Sequence, residues 1–257
     1  MQLVHAIRLY WLNRGLLGLG YRVTTAAVAR PGAQVRNVPR CRATFVAGQF
    51  AFFIGLYDEA RGYLEESAAI AREVGDKDAL SRALTLLGVA CLGHQDLATA
   101  RRHLEAALAL ARELGERVRL AGALNAIAEL HRTEGDLDAA ERMYEESLRV
   151  RRELGDRDAI AIDLLNLGVI AISRGLPDRA RGLLHEAHVT ACELASKKLG
   201  QAVLDGAAAL GVVMGEYAVA VRMYGASQAQ LDAMGLRREP AVEAFLLPLV
   251  SQARNAL

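Results

Sequence analysis

Apolar residues recur along this chain with the spacing of helices. Leu84, Leu87 and Cys91 lie on one side of a predicted helix, and Ala100 and Leu104 begin the apolar side of the next. Short breaks that mostly contain glycine separate such stretches, with the sequences GHQD, EGD, RGLPD and MGEY. Glycine ends a helix at little cost because it readily adopts the left-handed backbone. The pattern therefore predicts consecutive helices that are joined by tight turns and run antiparallel.

Columns of similar residues recur at a forty-residue step. The first column holds a small residue, at Ala60, Ala100, Ala140, Ala180 and Ala220. The second holds a large apolar residue, at Leu64, Leu104, Tyr144, Leu184 and Tyr224. The preceding helix of each period supplies a matching small residue, at Gly88, Ala128, Gly168 and Ala208. Because small side chains let two helices approach closely, each period is predicted to be one helix hairpin.

These hairpins predict an all-α fold, an α-solenoid of antiparallel helix hairpins that forms a right-handed superhelix. A hairpin this short cannot bury its apolar face alone, so neighbouring hairpins must stack. We expect a single repeat domain over residues 1–257. It consists of a degenerate first hairpin over 1–30, a proline-containing loop over 31–40, five repeats over 41–235 and a C-terminal capping helix within 236–257, interrupted or bent at Pro248.

Composition and charge narrow the classes of function. The chain has 31 basic and 30 acidic residues, a net charge of +1, so no strong field attracts nucleic acid or acidic lipid. Cys41, Cys91 and Cys192 are too few and too far apart for a disulfide framework, which favours a reducing, cytoplasmic setting. No apolar run approaches the roughly 18 residues of a membrane-spanning helix. We expect a soluble protein without direct nucleic-acid or membrane binding.

The repeat resembles the tetratricopeptide repeat, in which a small residue of the first helix faces an alanine of the second and a large apolar residue follows four positions later. Its period is longer than the usual ~34 residues, which implies longer helices. Stretches such as ELGDRDAIAIDLLNLGVIAISRG and EGDLDAAERMYEESLRVRRELGD resemble the C-terminal repeat arrays of bacterial multidomain signal-transduction ATPases and of transcriptional regulators with LuxR-type or winged-helix modules. The resemblance implies a sensor or partner-docking arm.

Candidate chemistry is sparse in this sequence. GLLGLG, from Gly15 to Gly20, follows a predicted helix, whereas a dinucleotide-binding loop follows a strand, so we interpret it as a packing motif. His185, His188 and Cys192 share one helical face, but a tetrahedral zinc site needs further ligands. No Walker-type phosphate loop and no set of Ser, His and Asp nominates a reaction. We expect no catalytic residue, no cofactor and no metal, hence no enzyme, with a hydrolase of unrecognised type as a minor alternative.

The inner groove of the array is the remaining candidate site. In such arrays the first helix of each hairpin lines the concave side, and residues not used in packing point into it. By register the partner-binding residues are Phe45, Gln49, Phe52, Arg82, Thr85, Asn125, Glu129, Arg132, Asn166 and Asp205. Polar groups among a few aromatic rings suit a peptide or helix of a partner protein. None of them is a lysine, which argues against a basic clamp for terminal carboxylates.

We therefore predict a non-enzymatic protein–protein interaction scaffold, the repeat arm of a bacterial regulatory protein. Its partner is a protein or peptide segment, and an upstream ATPase domain of the same or another chain is a further candidate partner. The alternative is a receptor for a small-molecule or peptide signal that changes the shape of the superhelix. The sequence leaves open the partner, the oligomeric state and whether the chain stands alone or belongs to a larger regulator.

Overall fold

Helices account for nearly all of the regular structure. The computed structural model describes residues 2–257, of which 83% are helical and none forms a strand. A short 3-10 helix lies at Pro31–Ala33. The α-helices of the described residues, α1 to α14 in chain order, are Gln2–Ala6, Arg8–Asn13, Leu17–Val28, Val38–Phe53, Tyr57–Glu73, Lys77–Gly93, Leu97–Leu114, Arg117–Thr133, Leu137–Leu154, Arg157–Ser173, Pro177–Glu193, Lys197–Val213, Tyr217–Met234 and Pro240–Asn255. The predicted all-α hairpin fold is confirmed. Among these helices, none combines the length and the apolar character needed to cross a bilayer.

The chain is divided by its packing into two compact units. Unit 1 comprises the residues up to Leu130 together with Gly235–Arg237, and unit 2 comprises His131–Met234 together with Arg238–Leu257. In unit 1, α4 packs against α5 and α6 against α7. In unit 2, α10 packs against α11 and α12 against α13, and α14 lies against both α12 and α13. The interpretation of residues 1–257 as one repeat domain stays a prediction.

The predicted turns form at the predicted glycines. Gly135, Gly175 and Gly215 have φ values of 85°, 66° and 76°, the left-handed conformation that ends the preceding helix. Two of the helices that follow the breaks between periods, α6 and α10, begin at an aspartate, and α12 begins at Ser196. Asp76 accepts a hydrogen bond from the backbone N–H of Ala79, and Asp156 caps α10 in the same way. Local sequence therefore determines where most helices begin and end.

Close helix crossings occur where the small-residue columns meet. Ala60, Ala100, Ala140, Ala180 and Ala220 are all fully buried. At Gly88 an added Cβ would lie 2.5 Å from the side chain of Leu104, and at Gly168 it would lie 3.1 Å from Leu184. In each of these two hairpins the large side chain of the second helix thus packs into the space left by the small residue of the first helix, as the repeat pattern predicts.

Three boundaries differ from the expected ones. Helix α4 begins at Val38, inside the predicted loop, because Asn37 caps it and Pro39 lies in the first turn, where no backbone N–H is needed. The first helix of the first hairpin is divided at Ile7 into α1 and α2. Helix α14 continues through Pro248 without interruption.

Candidate functional site

The predicted groove residues lie on the first helices of the hairpins, α4, α6, α8, α10 and α12. Each of these helices buries the residues of its packing columns, as α6 does with Leu84, Leu87 and Gly88. On α6, Arg82 and Thr85 lie outside that packed side and are half-buried. We use the term first-helix face for the sides of these helices that carry the predicted residues, which are Phe45, Gln49, Phe52, Arg82, Thr85, Asn125, Glu129, Arg132, Asn166 and Asp205.

In unit 1 the structure brings several of these residues together. The guanidinium of Arg82 lies over the ring of Phe45, 5.4 Å from its centroid, in a cation–π contact between α6 and α4. Gln49 accepts a hydrogen bond of 2.8 Å from Nη1 of Arg8. The hydroxyl of Thr85 donates to the backbone carbonyl of Ser81 at 2.9 Å. These side chains present an aromatic ring and polar groups on one face.

Helix α8 carries three predicted residues at a spacing of three or four positions. Asn125, Glu129 and Arg132 are all half-buried, whereas Leu124 and Ala128 on the same helix are fully buried. Each of the three polar residues already takes part in an interaction within the protein. A partner at α8 would therefore compete with, or add to, existing interactions.

Asn166 of α10, in unit 2, is a further predicted residue that stays partly accessible. It is half-buried, and its side chain forms no hydrogen bond with another residue that the structure describes. An asparagine amide has both donors and an acceptor, so it can pair with the peptide backbone of a ligand.

Two of the predicted residues belong to the protein interior. Phe52 is 7% exposed and packs edge-to-face on Phe53 and Tyr57, with centroid distances of 5.7 and 5.6 Å. Asp205 is 5% exposed, and both of its carboxylate oxygens accept hydrogen bonds from Nε of Arg238, at 3.1 and 3.2 Å. We correct the prediction for these two positions and leave Phe52 and Asp205 out of the candidate site.

Sequence reasoning missed a group of arginines that surrounds Arg82 in unit 1. Nε of Arg119 donates to Oδ1 of Asp78 at 2.5 Å, and Nε of Arg82 lies 3.3 Å from Oδ2 of the same carboxylate. Arg8 and Arg42 lie close enough to perturb the ionisation of their neighbours. Arg42 and Arg82 are forty residues apart, so the repeat register could have indicated this pair, whereas the divided first hairpin hides Arg8.

Ionisation in this group reflects burial and an excess of positive charge. Burial, together with the charges of Arg82 and Arg119, lowers the pKa of Arg8. Burial also lowers the pKa of Arg82, although Asp78 opposes the effect. The pKa of His5 is lowered by burial and by Arg42, Arg8 and Arg82. The cluster is therefore an electropositive, partly desolvated part of the first-helix face.

A second surface feature lies between α9, α10 and α11 in unit 2. It is a cleft of about 400 Å³ with an apolar floor and a charged rim. The floor consists of Leu148, Leu164, Leu167 and Leu183. Its rim arginines are already paired with glutamates: Arg149 with Glu153, Arg152 with Glu186 and Arg179 with Glu145, at 3.0, 2.7 and 3.2 Å. The rim is thus electrically balanced, unlike the arginine cluster of unit 1.

The residues weighed for metal binding do not assemble a site. Sγ of Cys192 lies 3.7 Å from Nε2 of His188, and both side chains are exposed. Within residues 2–257, no three His, Cys, Asp or Glu side chains are grouped so that they could hold a metal ion.

Solved structures with the same fold include regulators in complex with their ligands. The first is a Rap protein complexed with Competence and Sporulation Factor, with a TM-score of 0.75 and 13% identity, and the match covers 98% of this chain and 74% of that one. The second is the Rap conjugation gene regulator of the plasmid pLS20 in complex with the Phr* peptide. Its TM-score is 0.74 at 11% sequence identity, and the match covers 97% of this chain and 72% of that one. The third is NprR in complex with its cognate peptide NprX. Its TM-score is 0.71 at 16% sequence identity, and the match covers 99% of this chain and 72% of that one. At these identities the likeness shows the fold alone.

The sequence itself matches a repeat family over most of the hairpins. A search of curated proteins finds no match. The family model described as "Tetratricopeptide repeat" matches residues 42–113 and 119–188, which together make up more than half of the chain. These matched segments contain the hairpins whose small-residue crossings the structure shows. The chain therefore belongs to the tetratricopeptide repeat family.

Proposed function

We propose that this chain is a non-enzymatic interaction module that binds a peptide or an extended protein segment on the first-helix face of one of its two units. The proposal rests on the observation that each of these helices has a buried packing side and a partly accessible side. Their packing columns are buried, while Phe45, Arg82, Thr85 and Asn166 remain partly accessible and supply an aromatic ring, a cation, a hydroxyl and an amide. Such a mixture suits a peptide, which needs hydrogen bonds for its backbone and apolar contact for its side chains.

The neighbouring structures support a peptide as the occupant. Two proteins of the same fold have been solved in complex with peptides, the Phr* peptide and NprX, and a third with Competence and Sporulation Factor. The fold is therefore compatible with peptide binding. A short peptide signal also reconciles the two sequence-based alternatives, because a signal receptor and a peptide-binding scaffold then use the same face.

The proposed biological setting is that of a bacterial regulator in the cytoplasm. The resemblance of the repeats to the arrays of signal-transduction ATPases and transcriptional regulators supports the role of a sensor or docking arm, with the upstream ATPase domain as a partner. Cys41, Cys91 and Cys192 are all free, which agrees with a reducing compartment. In this setting peptide binding would shift the equilibrium between states of the regulator.

Peptide selection and calorimetry test the proposal. A display library of random heptapeptides is selected on the immobilised chain, and the best peptide is titrated into the parent and into blocked variants. Thr85→Trp adds bulk to the first-helix face of unit 1 and Asn166→Trp to that of unit 2, and the variant that blocks the occupied face should weaken binding about tenfold or more. Glu65→Trp and Glu105→Trp add the same bulk to exposed positions of α5 and α7 and serve as matched controls.

The outcomes separate the two candidate functions. Selection of no peptide, or equal affinity of the blocked and control variants, would contradict binding at the first-helix face. A parallel thermal-shift screen with metabolites covers the alternative, since a small molecule that stabilises the chain in the absence of peptide binding would favour a small-molecule receptor. Melting of each variant near the parent temperature confirms that the substitutions leave the fold intact.

A further inference from the structure

Four arginines from four helices of unit 1 lie close enough to influence the ionisation of one another or of common neighbours, and two of them, Arg42 and Arg82, line one small cavity with Phe45. The four are Arg8 of α2, Arg42 of α4, Arg82 of α6 and Arg119 of α8. Asp78 pairs with two of them: it accepts from Arg119 at 2.5 Å and lies 3.3 Å from Arg82. The cluster occupies the first-helix face, because Arg82 lies over Phe45 and Arg8 donates to Gln49.

The positive charge of this cluster is incompletely matched within the protein. Arg8 forms its side-chain hydrogen bond with a neutral amide, and Arg42 makes no ion pair with any residue described in the structure. Nε of Arg82 is buried and forms an ion pair of 3.3 Å with Oδ2 of Asp78, but it donates no hydrogen bond to an acceptor among the described residues. Asp76 also lies near Arg82, but its side chain accepts from the backbone of Ala79 as the cap of α6. Asp78 forms ion pairs with only two of the four arginines, and Arg42 is exposed. The cluster therefore keeps an excess of positive charge, which an anion from outside would complement.

We infer that this arginine cluster recognises carboxylates of an acidic peptide, so that the preferred ligand carries Asp or Glu side chains. The inference rests on the proposed function of the first-helix face. Guanidinium groups bind carboxylates through two parallel hydrogen bonds, a geometry that lysine cannot reproduce. The predicted groove residues include no lysine, but arginines on the same face can bind carboxylates in this way.

The spacing of the cluster favours more than one acidic side chain. Arg42 and Arg82 occupy equivalent positions on α4 and α6, which are in contact. Axes of packed helices lie about 8–10 Å apart. An extended peptide covers that distance in two to three residues at about 3.3–3.6 Å per residue. Carboxylates two or three positions apart in the ligand would therefore reach both arginines, which a single terminal carboxylate would not.

The charge of the remaining chain argues against a nucleic-acid ligand. The whole chain has a net charge of +1, and phosphate backbones are bound by extended basic surfaces. In unit 2 the arginines around the cleft are paired with glutamates. A compact cationic site beside an aromatic ring suits a short acidic segment with an apolar residue.

Parallel selections test the inference. The random heptapeptide library is selected on the parent, on Arg42→Gln with Arg82→Gln, and on the control Arg149→Gln, which removes an exposed arginine of α9. We expect the parent and the control to select peptides with two acidic residues spaced by two or three positions, and the double variant to lose this enrichment. Changing one acidic residue of a selected peptide to its amide should weaken binding to the parent about tenfold or more.

Further experiments distinguish side-chain carboxylates from the terminal carboxylate of the peptide. They also separate failure of this inference from failure of the proposed function. Amidation of the peptide C-terminus should leave affinity unchanged, and a loss of binding on amidation would overturn the assignment to side chains. Arg82→Lys should restore little of the affinity lost in Arg82→Gln, since the fork geometry is missing. Peptides selected without acidic enrichment would refute the inference while sustaining the proposed function. Selection of no peptide would refute both.

Discussion

Single backbone positions in the turns follow the forty-residue repeat as closely as the core does. Left-handed residues occur at Gly75, Gly115, Gly155 and Gly235, and Ala195 occupies the same register with φ of 49°. An L-residue in this conformation brings its Cβ close to a carbonyl oxygen, at a cost of about 1–2 kcal/mol. The turn after α11 therefore holds strain that the equivalent glycine turns avoid.

Replacing this alanine should stabilise the protein. We expect Ala195→Gly to raise the free energy of unfolding by about 1 kcal/mol, because relief of strain outweighs the added freedom of the unfolded chain. Ala226→Gly, at an exposed position inside α13, is the control and should lower it by about 0.5–1 kcal/mol. Urea denaturation of both variants checks the signs, and destabilisation by Ala195→Gly would refute the account of this turn.

Ionisation of Asp78 makes the stability of the protein depend on pH. Burial alone would raise the pKa of Asp78, but the hydrogen bond from Arg119 and the charges of Arg119, Arg82 and Arg42 together lower it. A lowered folded-state pKa means that the contribution to stability is complete above the unfolded-state value of about 3.9 and is lost as the pH falls through the folded-state value.

Asp78→Asn should therefore destabilise the protein at neutral pH and much less in acid. The carboxylate is partly exposed, so the difference at about pH 7 should be about 1 kcal/mol or less. Melting temperatures of the parent and the variant, measured down to about pH 3, should converge as the pH falls below about 4. A constant difference across this range would show that the charge of Asp78 does not stabilise the fold.

At the scale of helices, the close crossings make small residues obligatory at some positions only. In Gly88→Ala the new Cβ would meet Leu104 at 2.5 Å and the carbonyl oxygen of Ala100 at 3.3 Å. Overpacking of this kind costs about 1–3 kcal/mol. The matched change Gly62→Ala lies in an exposed, open part of α5 and should instead stabilise by about 0.4–1 kcal/mol. Thermal melts that rank the two variants in the opposite order would refute the crossing geometry.

The C-terminal helix of unit 2 is anchored by a buried polar network. Arg238 donates to Asp205 of α12 and, at 2.7 Å, to Glu243 of α14. Arg238→Met leaves the Asp205 carboxylate buried with reduced compensation, and such changes cost about 3–5 kcal/mol. The double variant Asp205→Ala with Arg238→Met removes both charges and should be more stable than Arg238→Met in urea denaturation. A double variant that is less stable would show that the charge pair is not the anchor.

Most element boundaries could be read from the sequence because they depend on local chemistry. Gly135 ends a helix and Asp76 begins one through their own backbone and side-chain preferences. The start of α4 was misplaced because proline is unfavourable within a helix but acceptable in its first turn, as at Pro39. The break at Ile7 has no turn residue to indicate it, since neither glycine nor proline occurs from Leu3 to Leu12.

At the scale of the whole molecule, the repeat register predicted which helices carry accessible side chains. It could not show that Phe52 and Asp205 are buried, because their neighbours Tyr57 and Arg238 lie outside the packing columns. The register also could not show that Arg8 and Arg119 lie near Arg82, since that proximity depends on contacts between helices that are distant in sequence. Periodicity therefore predicts the fold and the candidate face, and three-dimensional packing decides which residues on that face are available.

Hydroxyl-radical footprinting with the selected peptide tests the central claim, that the first-helix face binds a peptide. Phe45 and Val89 lie on the first helices α4 and α6, and Tyr63 and His103 lie on the second helices α5 and α7 as internal controls. All four side chains are half-buried and so can report a change in accessibility. We predict that bound peptide reduces the oxidation of Phe45 and Val89 and leaves the oxidation of Tyr63 and His103 unchanged. Protection of Tyr63 and His103 with no change at Phe45 and Val89 would contradict it.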